Sequence, residues 1–344
     1  MKIYKAAVIG CGGRAPAHIE AYRHIPNSEV VACCAPSPLR REPLAKKYGL
    51  RAYADPAEMI RTERPDIVHL VTWPDTRLEL MTLVSDLGVP LCTTEKPLAT
   101  AVSDWRALTA LEKNSHTRFG VCHQLRWQPH LAHCQETLLS GRLGRVLLLD
   151  ISAGMNIAGQ GTHTLNYGMS LMGDSPVKRV FANAQGWDAA DPGHPGPAAS
   201  EAYLIFTNGA RGLWTSGPVS PRCGDPATTW QHVRVAAYAE RGRVLYEEFG
   251  RWEIVGPDQE TESGYFGSMA EHGRNNLLAQ AGFYRAMFSW LEGGPEAGTS
   301  LRRSLHEWAV VLAMYQSALE HRPVELEGFD PPEDLVELYR QMSA

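Results

Sequence analysis

A glycine-rich turn near the start of the chain is the feature that most constrains its fold. Ala6 to Ile9 form a short apolar run, typical of a strand that is buried on both faces of a sheet. Gly10, Gly12 and Ala15 follow in a G-x-G-x-x-A spacing, and a helix pattern comes next. In a dinucleotide-binding fold these small residues permit a tight turn, close approach of the pyrophosphate and close packing of helix on strand. We therefore predict a dinucleotide site here, although such turns also occur without a nucleotide.

The end of the second predicted strand bears on the choice of dinucleotide. Residues 29–35 form a buried run, and Ala35 stands about 20 residues beyond the glycines, where NAD-binding folds usually carry Asp or Glu. Loss of that carboxylate removes a repulsion against a 2′-phosphate, and Ser37 with Arg40 or Arg41 offers donors to it. The sequence therefore favours NADP over NAD. The alternative is that both arginines are solvated residues at a helix start.

Length and strand pattern predict the fold class. At 344 residues the chain is long for a single core. Strands alternate with helices through about residue 120, as in a parallel sheet with right-handed crossovers. Later strand candidates are joined by hairpin signals such as Asn208-Gly209, which predict a largely antiparallel open sheet. We therefore predict an α/β protein, with an N-terminal Rossmann domain over residues 1–120 and a C-terminal α+β domain over residues 121–344.

The composition argues against several other classes of protein. The 33 basic and 38 acidic residues give a formal charge of −5 without long runs of either sign, which argues against nucleic-acid binding. A secretion leader and a long apolar stretch are both missing from the pattern, so we expect a cytoplasmic protein without a membrane partner. The seven cysteines are odd in number and form no C-x-x-C pair. Buried thiols are therefore favoured over disulfides, and no metal site is predicted.

A lysine follows the fourth predicted strand. Residues 90–93 form this strand, and Glu95-Lys96-Pro97 comes directly after it. Because parallel strands end at one edge of their sheet, we expect the ammonium group at the carboxyl edge. Such folds bind their cofactor and substrate at this edge. A residue before proline is held extended, so the side chain of Lys96 is aimed in a defined direction.

The order and spacing of these motifs resemble those of the glucose-fructose oxidoreductase, inositol dehydrogenase and MocA family of oxidoreductases. The resemblance covers the glycine turn, Glu95-Lys96-Pro97, Arg126-Trp127-x-Pro129 and Gly161-Thr162-His163. It implies hydride transfer between NAD or NADP and a hydroxyl carbon of a sugar, sugar derivative or polyol, with Lys96 beside the nicotinamide. It also favours a homodimer or homotetramer that pairs through the second sheet.

The resembled family carries an Asp four residues before a His, and often another Asp three residues after it. His163 matches the histidine, whereas Gly159 and Asn166 occupy the two Asp positions. Lys96 and His163 are therefore the predicted catalytic acid-base residues. Glycine at position 159 leaves room for a larger or differently placed substrate. The residues predicted to bind the substrate are Asn156, Gln160, Asn166, Tyr167 and Arg126.

Structural roles compete with these assignments. His163 also fits a core histidine at a helix start, Tyr167 fits core packing, and Arg126 fits an ion pair with an acid. The dinucleotide contacts are predicted at the strand ends of the first domain. The full predicted set is Gly10, Cys11, Gly12, Gly13, Arg14, Ala15, Ser37, Arg40, Thr72, Pro74, Glu95 and Lys96.

Two further functions stay open from the sequence alone. A glycosidase that keeps its dinucleotide bound and acts by transient oxidation and elimination is compatible with the altered Asp positions. A non-catalytic dinucleotide-binding protein is compatible with Ala35 and Gly159, which both depart from the usual carboxylates. The presence of both Lys96 and His163 favours an enzyme, because a protein without chemistry has no need of them.

Overall fold

The strands and helices group into two units in the computed structural model, which describes residues 2–191, 193–225, 227–257 and 260–343. The first unit comprises Met1–Leu98, Arg106–Gln124 and Leu277–Ser304. The second unit comprises Ala99–Trp105, Leu125–Asn276 and Leu305–Ala344. A late segment thus belongs to the first unit, which a single boundary near residue 120 does not describe.

The strands begin and end as follows. They are β1 (Tyr4–Ile9), β2 (Ser28–Cys34), β3 (Arg51–Tyr53), β4 (Ile67–Leu70), β5 (Leu91–Thr94), β6 (Arg118–Val121), β7 (Val146–Ala153), β8 (Val177–Gln185), β9 (Ala199–Phe206), β10 (Arg211–Ser216), β11 (Val233–Ala239), β12 (Gly242–Glu247), β13 (Arg251–Val255), β14 (Thr261–Tyr265) and β15 (Val324–Glu325).

The α-helices are α1 (Ala15–Ala21), α2 (Pro38–Tyr48), α3 (Pro56–Glu63), α4 (Arg77–Asp86), α5 (Val102–Asn114), α6 (Pro129–Leu139), α7 (Thr162–Ser170), α8 (Met269–Leu291), α9 (Leu301–Glu320) and α10 (Leu335–Met342). A π-helical turn, Ile157–Gly161, leads directly into α7. No helix within the described part of the chain is long and apolar enough to span a membrane.

A parallel sheet with strand order β3-β2-β1-β4-β5-β6 forms the centre of the first unit. Its middle strands are buried on both faces, as Ala7, Val8, Val68 and Cys92 show with 0% exposure. This burial explains why these strands are continuous apolar runs in the sequence. The predicted Rossmann-type sheet is confirmed.

A second sheet, in the order β14-β13-β12-β11-β7-β10-β9-β8-β15, forms the centre of the second unit. Its neighbouring strands are antiparallel apart from β7 and β10, which are parallel. At the predicted Asn208-Gly209 turn, Phe206 N donates to Ala210 O at 3.0 Å and closes the β9–β10 hairpin. The predicted, largely antiparallel second sheet is therefore confirmed.

The two faces of this second sheet differ in burial. On one face α7 packs directly on β7, since a Cβ built on Gly168 comes within 2.6 Å of Leu149 Cδ2. On the other face Phe181, Tyr203 and Leu213 are exposed by 42%, 41% and 44%. Tyr203 is the cross-strand partner of both Phe181 and Leu213, so the three side chains form one apolar row.

Candidate active site

The glycine turn has the geometry that a dinucleotide-binding turn requires. Gly10 follows β1 with a φ of +102°, and a Cβ there comes within 2.2 Å of Val71 O. Only glycine fits this position, because the backbone of β1 lies against the end of β4. Ala15 begins α1 and is fully buried among Val8, Ile19 and other residues of the same core cluster. The small residue therefore allows the helix to pack on the strand, as predicted.

The turn also leaves room where a pyrophosphate approaches. A Cβ built on Gly12 or Gly13 meets no described atom within 4 Å. Both residues therefore expose their backbone beside open space at the carboxyl edge of the sheet, and this arrangement fits a dinucleotide. Cys11 lies in the turn, and its hydrogen bond with Cys33, together with burial, raises the pKa of its thiol. Cys11 is thus a neutral group rather than a nucleophile.

The two neighbouring arginines that follow β2 have different surroundings. Arg41 donates to the carbonyl oxygens of Ala35 and Pro36 at 3.1 and 2.7 Å, so its guanidinium supports the loop backbone. Arg40 is exposed, and Ser37 precedes α2 as its N-cap residue without a capping bond from its hydroxyl. Of the two arginines, Arg40 is thus the one available to a ligand.

Lys96 lies in the loop that follows β5, and its backbone is held by a buried arginine. Arg77, which is 1% exposed, donates to Lys96 O at 3.1 Å and to Thr72 O at 3.2 Å. One guanidinium therefore joins the loops that follow β4 and β5. Burial lowers the pKa of Arg77 to about 10, which still leaves it charged at neutral pH. Pro74, in the loop after β4, begins a short 3-10 turn.

The side chain of Glu95 points towards α1 and the glycine turn. Its Oε1 accepts a hydrogen bond from His18 Nε2 at 2.7 Å and lies 3.8 Å from Arg14 Nη2. Burial alone raises the pKa of Glu95, but the His18 hydrogen bond and the charges of Arg14 and Lys96 bring it well below its usual range. Glu95 is therefore an anion. It contacts α1 from within the protein, which differs from the predicted contact with the dinucleotide.

In the second unit, His163 lies in the first turn of α7. It is 8% exposed, and its ring stacks on Tyr167 with centroids 5.6 Å apart and an interplanar angle of 21°. The helical spacing of four residues places both rings on one face of α7. Tyr167 itself is fully buried. The structure thus gives Tyr167 a packing role against His163.

The amide of Asn156 is used within the protein. Its Oδ1 accepts from Gly159 N at 2.8 Å, and its Nδ2 donates to Asp188 Oδ2 and His194 O, both at 2.9 Å. Asn156 therefore caps the π-helical turn and holds a loop, which differs from the predicted contact with substrate. The space expected at Gly159 is also occupied, because a Cβ there lies 3.1 Å from the methyl group of Met155.

The remaining predicted substrate residues have different surroundings. Arg126 forms two hydrogen bonds with Asp174, at 2.6 and 2.7 Å, and is therefore an ion-pair residue. Asn166 is fully buried, and its Nδ2 donates to Glu307 Oε1 at 2.6 Å. Gln160 is bonded through Nε2 to Trp230 O at 2.5 Å, whereas its buried Oε1 has no hydrogen-bond partner among the described residues. Gln160 thus keeps one buried acceptor atom that no described residue occupies.

The sequence pattern did not identify several buried polar residues that contact the predicted site residues or their loops. Arg77 and His18 lie in helices whose patterns gave no sign of their contacts with the Lys96 loop. Glu307 is 1% exposed in α9 and supplies a carboxylate beside Asn166, one of the positions that lacks an Asp. An acid inside the apolar run of residues 305–314 was the available signal for it.

Known proteins that are similar in sequence to this chain include oxidoreductases with an NAD-binding Rossmann fold. Residues 4–123 match the model of a family described as an oxidoreductase family with an NAD-binding Rossmann fold. A D-apiose dehydrogenase of Paraburkholderia graminis is 27% identical over 353 residues, covering 96% of this chain and 92% of that protein. A D-apiose dehydrogenase of Rhizobium rhizogenes is 24% identical, covering 94% of this chain and 97% of that protein.

A solved structure shows the same fold over nearly the whole chain. An oxidoreductase from Agrobacterium radiobacter, in complex with NAD+, L-tartaric acid and magnesium, superposes with a TM-score of 0.80 at 22% identity. The match covers 94% of this chain and 99% of that chain. Residues 4–123 therefore form an NAD-binding Rossmann domain of this oxidoreductase family, and the chain as a whole is similar to these dehydrogenases over nearly its full length.

Proposed function

We propose that this oxidoreductase acts on a hydroxyl carbon of a sugar, sugar derivative or polyol, with Lys96 as the catalytic acid-base residue. The observation that carries the proposal is the position of Lys96 in the loop after β5, with its backbone held by the buried Arg77. This loop follows the carboxyl end of a strand, where open α/β sheets bind their ligands. The two D-apiose dehydrogenases support a carbohydrate substrate, because both match this chain over almost its entire length.

The chemistry divides between cofactor and protein. A bound nicotinamide dinucleotide supplies the acceptor or donor of hydride. Gly10, Gly12 and Gly13 would hold it through their backbone at the turn. Lys96 would take the proton from the substrate hydroxyl during oxidation and return it during reduction. His163 is the second acid-base candidate, because its ring orientation is held by stacking on Tyr167.

The test is a substrate screen with the purified protein. Aldoses, including D-apiose, and common polyols are each incubated with NAD+ and NADP+ while absorbance at 340 nm is followed. An increase with one carbohydrate class supports the proposal. Tight dinucleotide binding without any absorbance change contradicts it and favours a non-catalytic protein. Release of an aglycone from glycosides without net formation of reduced dinucleotide instead favours the glycosidase.

We also propose that the enzyme prefers NADP to NAD, through Arg40. Replacing Arg40 by alanine is expected to raise the KM for NADP about tenfold and to leave the KM for NAD unchanged, since a charged donor to the 2′-phosphate is lost. Arg41→Ala is the matched control. It removes the bonds to Ala35 O and Pro36 O, so it should lower stability and affect both dinucleotides alike. A wild-type preference for NAD overturns the proposal.

A further proposal concerns the oligomer, whose partner is a second copy of this chain. Phe181, Tyr203 and Leu213 form an exposed apolar row on one face of the second sheet, and such rows are usually covered by a subunit. Leu213→Glu is expected to reduce the mass in solution from a multiple of 37.9 kDa to that value, measured by light scattering. Val219→Glu, at a residue 54% exposed outside the row, is the control. A monomeric wild-type protein at micromolar concentration contradicts the proposal.

A further inference from the structure

A chain of buried hydrogen bonds ends on the residue before Lys96. The hydroxyl of Tyr284, in α8, donates to His18 Nδ1 at 2.5 Å, and His18 Nε2 donates to Glu95 Oε1 at 2.7 Å. Tyr284 and His18 are 0% and 1% exposed, and all three residues belong to the first unit. The chain therefore leads from the core of that unit to the loop that carries Lys96.

The donor and acceptor roles in this series of hydrogen bonds follow from the chemistry of Tyr284, His18 and Glu95. A carboxylate only accepts hydrogen bonds, so His18 Nε2 carries the proton that it shares with Glu95. Burial lowers the pKa of His18, which leaves Nδ1 as an acceptor for the Tyr284 hydroxyl. Burial also raises the pKa of Tyr284 well above its usual range, so that hydroxyl keeps its proton. The chain thus consists of two neutral rings and one anionic carboxylate.

A metal site is the competing interpretation of the same cluster. Ligand atoms of His18, Glu95 and Cys122 lie within 4.8 Å of one another. However, both ring nitrogens of His18 are already at hydrogen-bond distance from other groups. Burial raises the pKa of the Cys122 thiol, whereas metals bind the thiolate. Hydrogen bonding therefore explains the cluster better than metal binding.

The loop of Lys96 is held at two neighbouring points. The side chain of Glu95 is fixed to α1 through His18, and the carbonyl of Lys96 is fixed to α4 through Arg77. With both points held, little backbone motion remains to move the ammonium group. The titratable or charged groups around Glu95 are Arg14 just before α1, His18 on α1, His69 on β4, Arg77 at the start of α4, Lys96 after β5, Cys122 after β6, and Tyr284 on α8.

We propose that His18 and Tyr284 are positioning residues for Lys96, because they hold the Glu95 carboxylate in one place next to it. The proposal rests on the acid-base role of Lys96 proposed above. A neighbouring carboxylate favours the charged form of a lysine. Without the hydrogen bonds from His18 and Tyr284, the Glu95 carboxylate is no longer held next to Lys96. Lys96 then gives up its proton at lower pH, and the loop that carries it is less rigid. Because oxidation requires neutral Lys96, the acid limb of the pH profile of kcat for oxidation moves to lower pH.

Two buried tyrosines provide a matched pair of variants. Tyr284 contacts His18 at 2.5 Å, whereas Tyr22 contacts His69 Nε2 at 2.7 Å in the same core. Tyr284→Phe and Tyr22→Phe each remove one hydroxyl from a buried histidine, so their losses in Tm should be similar. Tyr284→Phe alone is expected to lower kcat about tenfold, with the KM for the dinucleotide unchanged. Glu95→Gln should move the acid limb of kcat by about 1 pH unit to lower pH.

A second readout uses the protein without cofactor or substrate. The protein has seven lysines, so the 13C-dimethylated lysines can be titrated individually by NMR. The resonance of Lys96 is assigned as the one that is missing in the Lys96→Arg variant. The Lys96 resonance should titrate at lower pH in Glu95→Gln and Tyr284→Phe than in Tyr22→Phe. Identical Lys96 titrations in all three variants overturn the positioning role.

His18 gives a further pair of variants if Tyr284→Phe folds poorly. His18→Leu removes both hydrogen bonds, whereas His18→Gln keeps a donor for Glu95, so glutamine should restore most of the kcat that leucine loses. Equal kcat in the two variants contradicts the proposal. Failure of the underlying function gives a different result, because turnover would then survive in Lys96→Met whatever the behaviour of His18.

Discussion

Replacing Lys96 by methionine is expected to lower kcat by about 10³-fold, because general acid-base groups contribute about 10² to 10⁴ to the rate. Methionine preserves most of the length of the side chain and removes the ammonium group. The dinucleotide affinity should stay within about threefold, since the backbone contacts of the glycine turn are untouched. Steady-state rates at 340 nm and fluorescence titration with reduced dinucleotide measure the two quantities.

The control for this experiment is a lysine away from the strand ends. Lys113 is exposed near the end of α5, so Lys113→Met should keep wild-type kcat and affinity. His163→Ala tests the second acid-base candidate in the same assay, with an expected loss of about 10²-fold. Turnover of Lys96→Met within tenfold of wild type would remove Lys96 from the catalytic role.

Replacing Gly10 by alanine is expected to destabilise the first unit by about 2 to 5 kcal/mol, from backbone strain and a steric clash. The φ of +102° disfavours a side chain, and the new Cβ would lie 2.2 Å from Val71 O in the backbone that follows β4. A backbone oxygen cannot rotate away as a flexible side chain does. The expected loss in Tm is roughly 5 to 15 °C, measured by calorimetry.

Gly12→Ala separates dinucleotide binding from folding. Its Cβ meets no described atom within 4 Å, so the Tm should change by less than about 2 °C. If the pyrophosphate approaches this backbone, the same methyl group should weaken dinucleotide affinity by at least about tenfold. Wild-type affinity in Gly12→Ala would place the pyrophosphate elsewhere, and wild-type stability in Gly10→Ala would contradict the tight contact with Val71.

Much of the fold can be predicted from the local sequence pattern of apolar and turn residues. The apolar spacing of residues 301–320 is that of an amphipathic helix, and α9 has these bounds because the spacing continues over the full helix. The Asn208-Gly209 hairpin was predictable because turn residues dictate local backbone geometry. Strand β14 was not predicted, since its five residues T-E-S-G-Y are mostly exposed and it exists only by pairing with β13.

By itself, the sequence determined the glycine turn, the position of Lys96 at a strand end and the order of strands and helices, because each depends on neighbouring residues. The tertiary structure alone decided which polar groups surround Lys96. His18 and Glu95 are 77 residues apart in the chain, and His18 and Tyr284 are 266 apart, yet all three are hydrogen-bonded. Such contacts follow from how helices pack on a sheet, and buried polar groups must find partners wherever that packing brings them.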